Sequence, residues 1–247
     1  MPADLSTAAR RQRRTTALTA VLALVAAPIT VAVGMRFDGG GSYITSLLIV
    51  LYALIPFFAA FESRRPTAHD VVVVAVLCAL AVVARAAFFW IPYVTAITAV
   101  IIVAGIALGP TSGFMVGAVS LFASNFLFAQ GPWTPWQMLA YGLAGFVFGL
   151  LAQKGKMPRS DLSGRQRVAL SLSGCAFVVC VLGPVLDTSS VFLLLNPVTP
   201  AGALGVYAAG LPVNLVHGVS TAVVLFLVAN PILGHVGRIR LKYGLAG

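Results

Sequence analysis

Long runs of apolar residues, separated by short polar breaks, fill most of this chain. Apolar residues are continuous within each run instead of alternating with polar ones, which favours helices over strands. A helix needs about 20 apolar residues to cross a bilayer, and most of the runs come close to that length. The run at 93–108 is shorter and lies between Pro92 and Pro110, which predicts a tilted or incomplete span. The eight runs lie at about 16–36, 43–61, 71–90, 93–108, 113–130, 136–153, 168–187 and 206–230.

Composition supports a membrane protein. The 247 residues are 60% hydrophobic and 9% charged, and their mean hydropathy is +0.99. A soluble domain carries about 25% charged residues, enough to coat a surface that faces water. In lipid only helices and closed barrels satisfy the backbone polar groups. The continuous runs therefore predict an all-α membrane protein.

The positive charge predicts the topology. The formal net charge is +10, and 14 of the 16 Lys and Arg lie in the segments 10–14, 64–65, 154–167 and 238–242. The positive-inside rule assigns these segments to the cytoplasm and accounts for the charge without a nucleic-acid partner. We therefore expect a multi-pass protein of the cell membrane with both termini cytoplasmic. The predicted cytoplasmic loops are 62–70, 109–112 and 154–167, and the predicted external connections are 37–42, 91–92, 131–135 and 188–205.

Arg85 and Asp187 are charges predicted to lie within the membrane, near the outer ends of the third and seventh runs. Charged residues inside a bilayer are costly and commonly mark functional sites. A buried arginine needs a compensating partner. Three alternatives follow from the sequence. Arg85 pairs with Asp187 across the bundle, it contacts an anionic ligand group, or its long side chain extends the charge to the membrane surface.

A polar, aromatic, proline-rich turn joins the fifth and sixth runs. Tryptophans at a membrane face are often simple interfacial anchors. Two tryptophans around Thr-Pro, flanked by glutamines, instead offer apolar faces together with hydrogen-bonding groups, which is the usual lining of a small-molecule pocket. We therefore predict that this turn and the span before it contribute substrate contacts, from Asn125, Gln130, Trp133, Trp136 and Gln137.

Asn214 and His217 lie three residues apart in the last run and therefore on one helical face. Tyr93 and Tyr207 lie near the predicted outer face and are candidates to line the same cavity. His217 is either a hydrogen-bonded packing residue or the acid–base group of an intramembrane enzyme acting on a lipid or prenyl substrate. The enzyme alternative needs an acidic partner for His217, and the sequence shows none beside it.

The chain shows no hydrolase, metalloprotease or nucleotide-binding motif. Its three cysteines, Cys78, Cys175 and Cys180, have neither metal-site nor redox spacing. We therefore expect no catalytic residues, no bound metal and no cofactor. Because a P-loop is missing, active transport would need an ion gradient or another subunit to supply energy.

Several segments resemble the substrate-binding S components of energy-coupling factor (ECF) transporters, over about residues 71–235. The most specific is Gln-Gly-Pro-Trp-Thr-Pro-Trp-Gln-Met at 130–138, and the chain looks most like the actinobacterial branch often labelled cobalamin-type. The family's last-span motif carries Asp where this chain has Asn214. Together with Arg85, that departure favours an anionic ligand, such as an isoprenoid diphosphate. The other segments are 84–88, 104–118, 124–129 and 210–218.

The resemblance implies a six-helix core that captures a vitamin, cofactor precursor or similar micronutrient from outside. It also implies partners, a transmembrane coupling subunit driven by two cytoplasmic ATPases. An Ala-xxx-Ala face on the first core helix contacts the coupling subunit in that family, and Ala75 and Ala79 match it. A solitary S-like transporter for an isoprenoid or phosphorylated precursor is the alternative. The implied organisation is a basic cytoplasmic N-terminus at 1–15, two additional transmembrane helices at 16–61, the six-helix core at 62–235 and a basic cytoplasmic tail at 236–247.

Overall fold

Helices make up most of the described chain. The computed structural model describes residues 68–157, 162–195 and 197–243, residues 20–34, and positions 14, 17, 18, 44, 45, 48, 51, 52 and 55. These residues contain no strand. The α-helices are α1 (Ala27–Gly34), α2 (Ala68–Ala87), α3 (Ile97–Leu108), α4 (Pro110–Phe128), α5 (Thr134–Gln153), α6 (Gly164–Phe177), α7 (Gly183–Leu194) and α8 (Pro200–Tyr243). One π-helical turn, Leu22–Ala26, precedes α1, and another, Val178–Leu182, joins α6 to α7 in one continuous segment.

Five helical segments within the described residues are long and apolar enough to cross a membrane. They are α2, α4, α5, the continuous segment α6–α7 and α8. Together with the shorter α3, these segments give the described chain from Ala68 onward six consecutive helical segments. The prediction of an all-α membrane protein is therefore confirmed.

The N-terminal helix pair is only partly described. The predicted span at 16–36 is helical from Leu22 to Gly34. Most of the predicted span at 43–61 lies outside the described residues. So do residues 62–67 and, except for Arg14, the whole 1–15 segment. Thr30 Oγ1 donates a hydrogen bond to the hydroxyl of Tyr52 at 2.9 Å, so the two predicted spans touch at that point.

α3 is the central helix of the bundle. Its 12 residues are apolar apart from Thr98, and Ile97 to Ala107 are all buried. A helix that is apolar on every side has no face suited to water and is buried by its neighbours. α3 packs against α2, α4, α5 and α8. A helix of 12 residues is about 18 Å long, which is shorter than the hydrocarbon core of a bilayer. This agrees with the predicted short, incomplete span at 93–108.

Glycines bring α3, α4 and α5 into backbone contact. A Cβ placed on Gly113 would lie 2.6 Å from Cα of Gly105, and one placed on Gly145 would meet the carbonyl of Gly113. Small residues allow such approach where hydrophobicity provides no drive between helices in lipid. The GxxxG pairs of these helices therefore serve packing within the bundle.

Several connections differ from those predicted. The predicted loop 109–112 shrinks to Gly109, whose φ of 91° is accessible to glycine. Pro110 then begins α4, because the first helical position needs no backbone N–H. In the same way Pro200 begins α8, so the predicted connection 188–205 shortens to 195–199, and the connection predicted at 91–92 widens to 88–96. α8 continues to Tyr243, through most of the predicted 236–247 tail.

Candidate functional site

Arg85 lies in the last turn of α2 and joins α2 to α4. Its Nη1 donates hydrogen bonds to Ser124 Oγ at 2.5 Å and to Asn125 Oδ1 at 2.8 Å. Asp187 instead accepts a hydrogen bond from Asn214. Within the described residues, the pair that the sequence offered between Arg85 and Asp187 is therefore not formed.

Asn125 links three helices through one buried amide. Its side chain is 1% exposed. While Oδ1 accepts from Arg85, Nδ2 donates to Thr134 Oγ1 at 2.9 Å and to Gln137 Oε1 at 2.8 Å. Because a buried amide is costly unless it is hydrogen-bonded, this set of bonds fixes the relative positions of α2, α4 and α5. We call Arg85, Ser124, Asn125, Thr134 and Gln137 the arginine network.

The turn between α4 and α5 is closed by its own side chains. Gln130 Oε1 accepts from Thr134 Oγ1, and Gln130 Nε2 donates to the carbonyl of Phe122, each at 2.9 Å. The N–H of Gly131 donates to Thr134 Oγ1 at 3.2 Å, and Ala129 adopts a φ of 79°. The predicted site residue Gln130 thus holds the turn against the arginine network, although its side chain is exposed.

The two predicted site tryptophans lie in different surroundings. Trp136 is 1% exposed and stacks on Phe192 of α7, with ring centroids 5.8 Å apart. Trp133, directly before α5, is 39% exposed. Trp136 therefore packs α5 on α7, whereas Trp133 presents an accessible ring at the turn.

Asp187 and Asn214 form a second polar group, between α7 and α8. Asn214 Nδ2 donates to Asp187 Oδ2 at 2.8 Å. Glycines make room for both side chains, because a Cβ on Gly210 would meet the Asp187 carboxylate and one on Gly183 would meet the Asn214 amide. Asp187 is half-buried and Asn214 is buried, so the carboxylate keeps an accessible side.

His217 lies one turn further along α8, inside the bundle. Its Nε2 lies 2.8 Å from Thr98 Oγ1 on α3, and its ring lies 6.1 Å from that of Tyr141 on α5. The imidazole is 7% exposed. Its described hydrogen-bond partner is a hydroxyl, which fits a packing role. Within the described residues, no hydrogen bond joins His217 to a carboxylate.

Helical spacing connects the two polar groups. Gln137 of the arginine network and Tyr141 are four residues apart on α5, and Asn214 and His217 are three apart on α8. Because Tyr141 lies beside His217, a band of polar side chains runs from Arg85 across α5 to α8. Sequence reasoning did not assign Ser124, Thr98 or Tyr141 to it. The sequence did contain a signal for Thr98, because it is the one hydroxyl residue in the otherwise apolar helix α3.

Tyr93 stays apart from this band. It is 61% exposed, has a φ of 63°, and makes no hydrogen bond within the described residues. Tyr207, the other candidate tyrosine, lies 2.7 Å from Thr188 Oγ1 through its hydroxyl. The connection that holds Tyr93 also carries Phe89, whose ring lies 5.0 Å from that of Phe128.

The helices from α2 onward lie almost entirely within a range of the sequence that matches a known protein family. Residues 65–232 match the family described as ECF-type riboflavin transporter, S component. The chain belongs to this family. The matched range begins just before α2 and includes every residue of both polar groups. The S component is thus a multi-pass membrane protein and the substrate-binding subunit of an ECF transporter.

The match confirms the resemblance to ECF S components that the sequence motifs predicted. It does not confirm the cobalamin-type branch, because the matched family is described by riboflavin. No curated protein and no solved structure matches the chain.

Proposed function

We propose that this S component captures a vitamin, cofactor precursor or similar micronutrient at the outer face of the cell membrane. It then delivers the molecule to an energising module composed of a transmembrane coupling subunit and two cytoplasmic ATPases. The observation that carries the proposal is the arginine network, in which α2, α4 and α5 hold a cation at one shared end of the bundle. A cation kept within a membrane protein at such energetic cost commonly serves a ligand.

Three substrate classes suit the chain. Riboflavin follows from the description of the matched family. A cobalamin-like molecule follows from the sequence motifs, and an anionic precursor follows from Arg85. Binding would use the polar band and the accessible rings beside it, chiefly Trp133 and Phe128.

Docking to the coupling subunit would use the small-residue face of α2. Ala75 and Ala79 are exposed on α2 and lie four residues apart, hence on one helical face. Val72 and Val76 beside them are each 59% exposed. Two small side chains within an apolar surface allow another helix to approach closely.

The docking test uses the full S component co-expressed with a coupling subunit and its two ATPases. We expect the Ala75→Leu, Ala79→Leu double variant to lose co-purification with the module, because two larger side chains hold the partner helix away. Its unfolding temperature should stay within a few degrees of the original, since both alanines are exposed.

Ala176→Leu is the matched control, because Ala176 is an exposed alanine on α6. It should co-purify with the module as the unchanged chain does. Full co-purification of the double variant would refute docking through α2. Failure of the unchanged chain to co-purify with any module would favour a solitary transporter.

A further inference from the structure

Arg85 uses only part of its hydrogen-bonding capacity in its contacts with the described residues. A guanidinium has five N–H donors. Both described hydrogen bonds of Arg85 come from Nη1, and they go to Ser124 and Asn125. Within the described residues, Nε and Nη2 therefore donate to no protein acceptor. Neither atom is among the buried polar atoms that lack a partner, so this edge of the guanidinium is not enclosed.

Among the described residues, no acidic side chain neutralises the positive charge of Arg85. Both acceptors of Nη1 are neutral groups, a hydroxyl and an amide oxygen. Asp187 is hydrogen-bonded to Asn214, and Asp70 lies in the first turn of α2, at the opposite end of that helix. Within the described chain, no carboxylate forms an ion pair with Arg85.

The open edge is held in a fixed orientation. Asn125 cannot turn away, because its Nδ2 is bound to both Thr134 and Gln137. The ring of Phe128 supports the guanidinium, with Cζ 4.9 Å from the ring centroid. The Nε–Nη2 edge is the planar fork that matches a carboxylate or a phosphate through two parallel hydrogen bonds.

An aromatic surface extends from the open edge. The Phe89 ring contacts Phe128 at 5.0 Å and Trp90 at 5.5 Å between centroids. Trp90 is 87% exposed. A molecule whose acidic group lay on Arg85 could therefore place a ring or an isoprenoid chain along these side chains.

We propose that the Nε–Nη2 edge of Arg85 binds a phosphate or carboxylate of the captured molecule, so that the substrate is an anion with an apolar or ring-shaped body. The inference rests on the proposed capture function and names the chemical class of its substrate. Neutral molecules of the same shape, riboflavin included, then bind more weakly because they leave the fork of Arg85 without an acceptor.

The test compares matched pairs of ligands on the purified full chain in maltoside detergent. The pairs are riboflavin and flavin mononucleotide, pyridoxal and pyridoxal phosphate, and geraniol and geranyl diphosphate. We expect the anionic member of at least one pair to raise the unfolding temperature, with a dissociation constant at least about tenfold below that of its neutral partner.

Variants at Arg85 separate recognition from support of the fold. Arg85→Gln should remove the advantage of the anionic member, so that the dissociation constants of the two members of a pair then lie within about threefold of each other. Arg85→Lys, which keeps the charge but has no fork, should retain only part of the advantage. If Arg85→Gln does not fold, the lysine variant decides, and an undiminished advantage in it would refute the fork.

Three further outcomes overturn the inference. The first is equal stabilisation by both members of every binding pair, and the second is no stabilisation by any anionic member. The third is an Arg85-dependent shift with phosphatidylglycerol but with no soluble anion, which assigns the edge to a lipid headgroup. In the first case the protein still binds ligands, so the proposed capture function is retained. In the other two cases, co-purification with the energising module tests the capture function independently.

Discussion

At the scale of single residues, neutral groups position the charges of this membrane domain. Asn125 orients Arg85, and Asn214 orients Asp187. An amide holds a charged group in place without cancelling its charge, whereas an ion pair between Arg85 and Asp187 would leave little of either charge for a ligand. The arrangement thus favours a site that recognises charge over an interior that only packs.

The two tryptophans of the turn should differ sharply when each is replaced by alanine. Trp136→Ala should lower the free energy of unfolding by about 3–5 kcal/mol, because it removes a buried ring that stacks on Phe192. Trp133→Ala should change that free energy by less than about 1 kcal/mol, since Trp133 is partly exposed. Denaturant unfolding in detergent measures both, and equal losses would contradict the assigned packing.

Residue types were easier to predict than their partners. The sequence singled out Arg85, Asn125, Gln130 and Gln137 because polar groups are few in an apolar chain. It left open whether Arg85 pairs with Asp187, contacts a ligand or extends its charge to the membrane surface. Periodicity fixes which residues share a helical face, but not which faces of separate helices meet. The structure brings Asn125 of α4 to Arg85, a contact that no spacing rule indicates.

At the scale of helices, the pattern of apolar residues predicted which segments are helical better than it predicted where each helix begins and ends. Each of the six predicted spans from residue 71 onward corresponds to a helical segment, and five of these segments are long enough to cross a membrane. Their ends moved where a proline begins a helix, at Pro110 and Pro200, because hydropathy detects apolar runs and not the geometry of the first turn. Gly109 alone reverses the chain, so that α3 and α4 lie close enough for direct glycine contact.

The junction of α3, α4 and α5 should tolerate no added methyl group. Gly145→Ala places a Cβ against the carbonyl of Gly113 and should lower the free energy of unfolding by about 1–3 kcal/mol through overpacking.

Gly234→Ala is the control, because nothing lies within 4 Å of a Cβ at this position in α8. It should be neutral or stabilising by up to about 1 kcal/mol, as expected when alanine replaces glycine in a helix. Thermal unfolding of the two purified variants measures the contrast. A Gly145→Ala protein as stable as the unchanged chain would contradict direct backbone contact at the junction.

At the scale of the whole molecule, three features combine in one account. Family membership makes the chain an ECF substrate-binding subunit. The polar band is the proposed place of ligand contact, and the alanine face of α2 is the proposed surface for the coupling subunit. The orientation in the membrane stays a prediction from the distribution of Lys and Arg. It places Arg85 and the turn before α5 on the outer face, where the proposed capture would take place.

ATP-driven uptake is the most direct test of the central claim. The S component is reconstituted into proteoliposomes with a coupling subunit and two ATPases. Accumulation of each radiolabelled molecule of the matched ligand pairs is then measured with and without ATP. We predict that at least one of these molecules accumulates, and that its accumulation requires the S component, the module and ATP together. Equal accumulation without the ATPases or without ATP, or no accumulation of any member, would contradict the account.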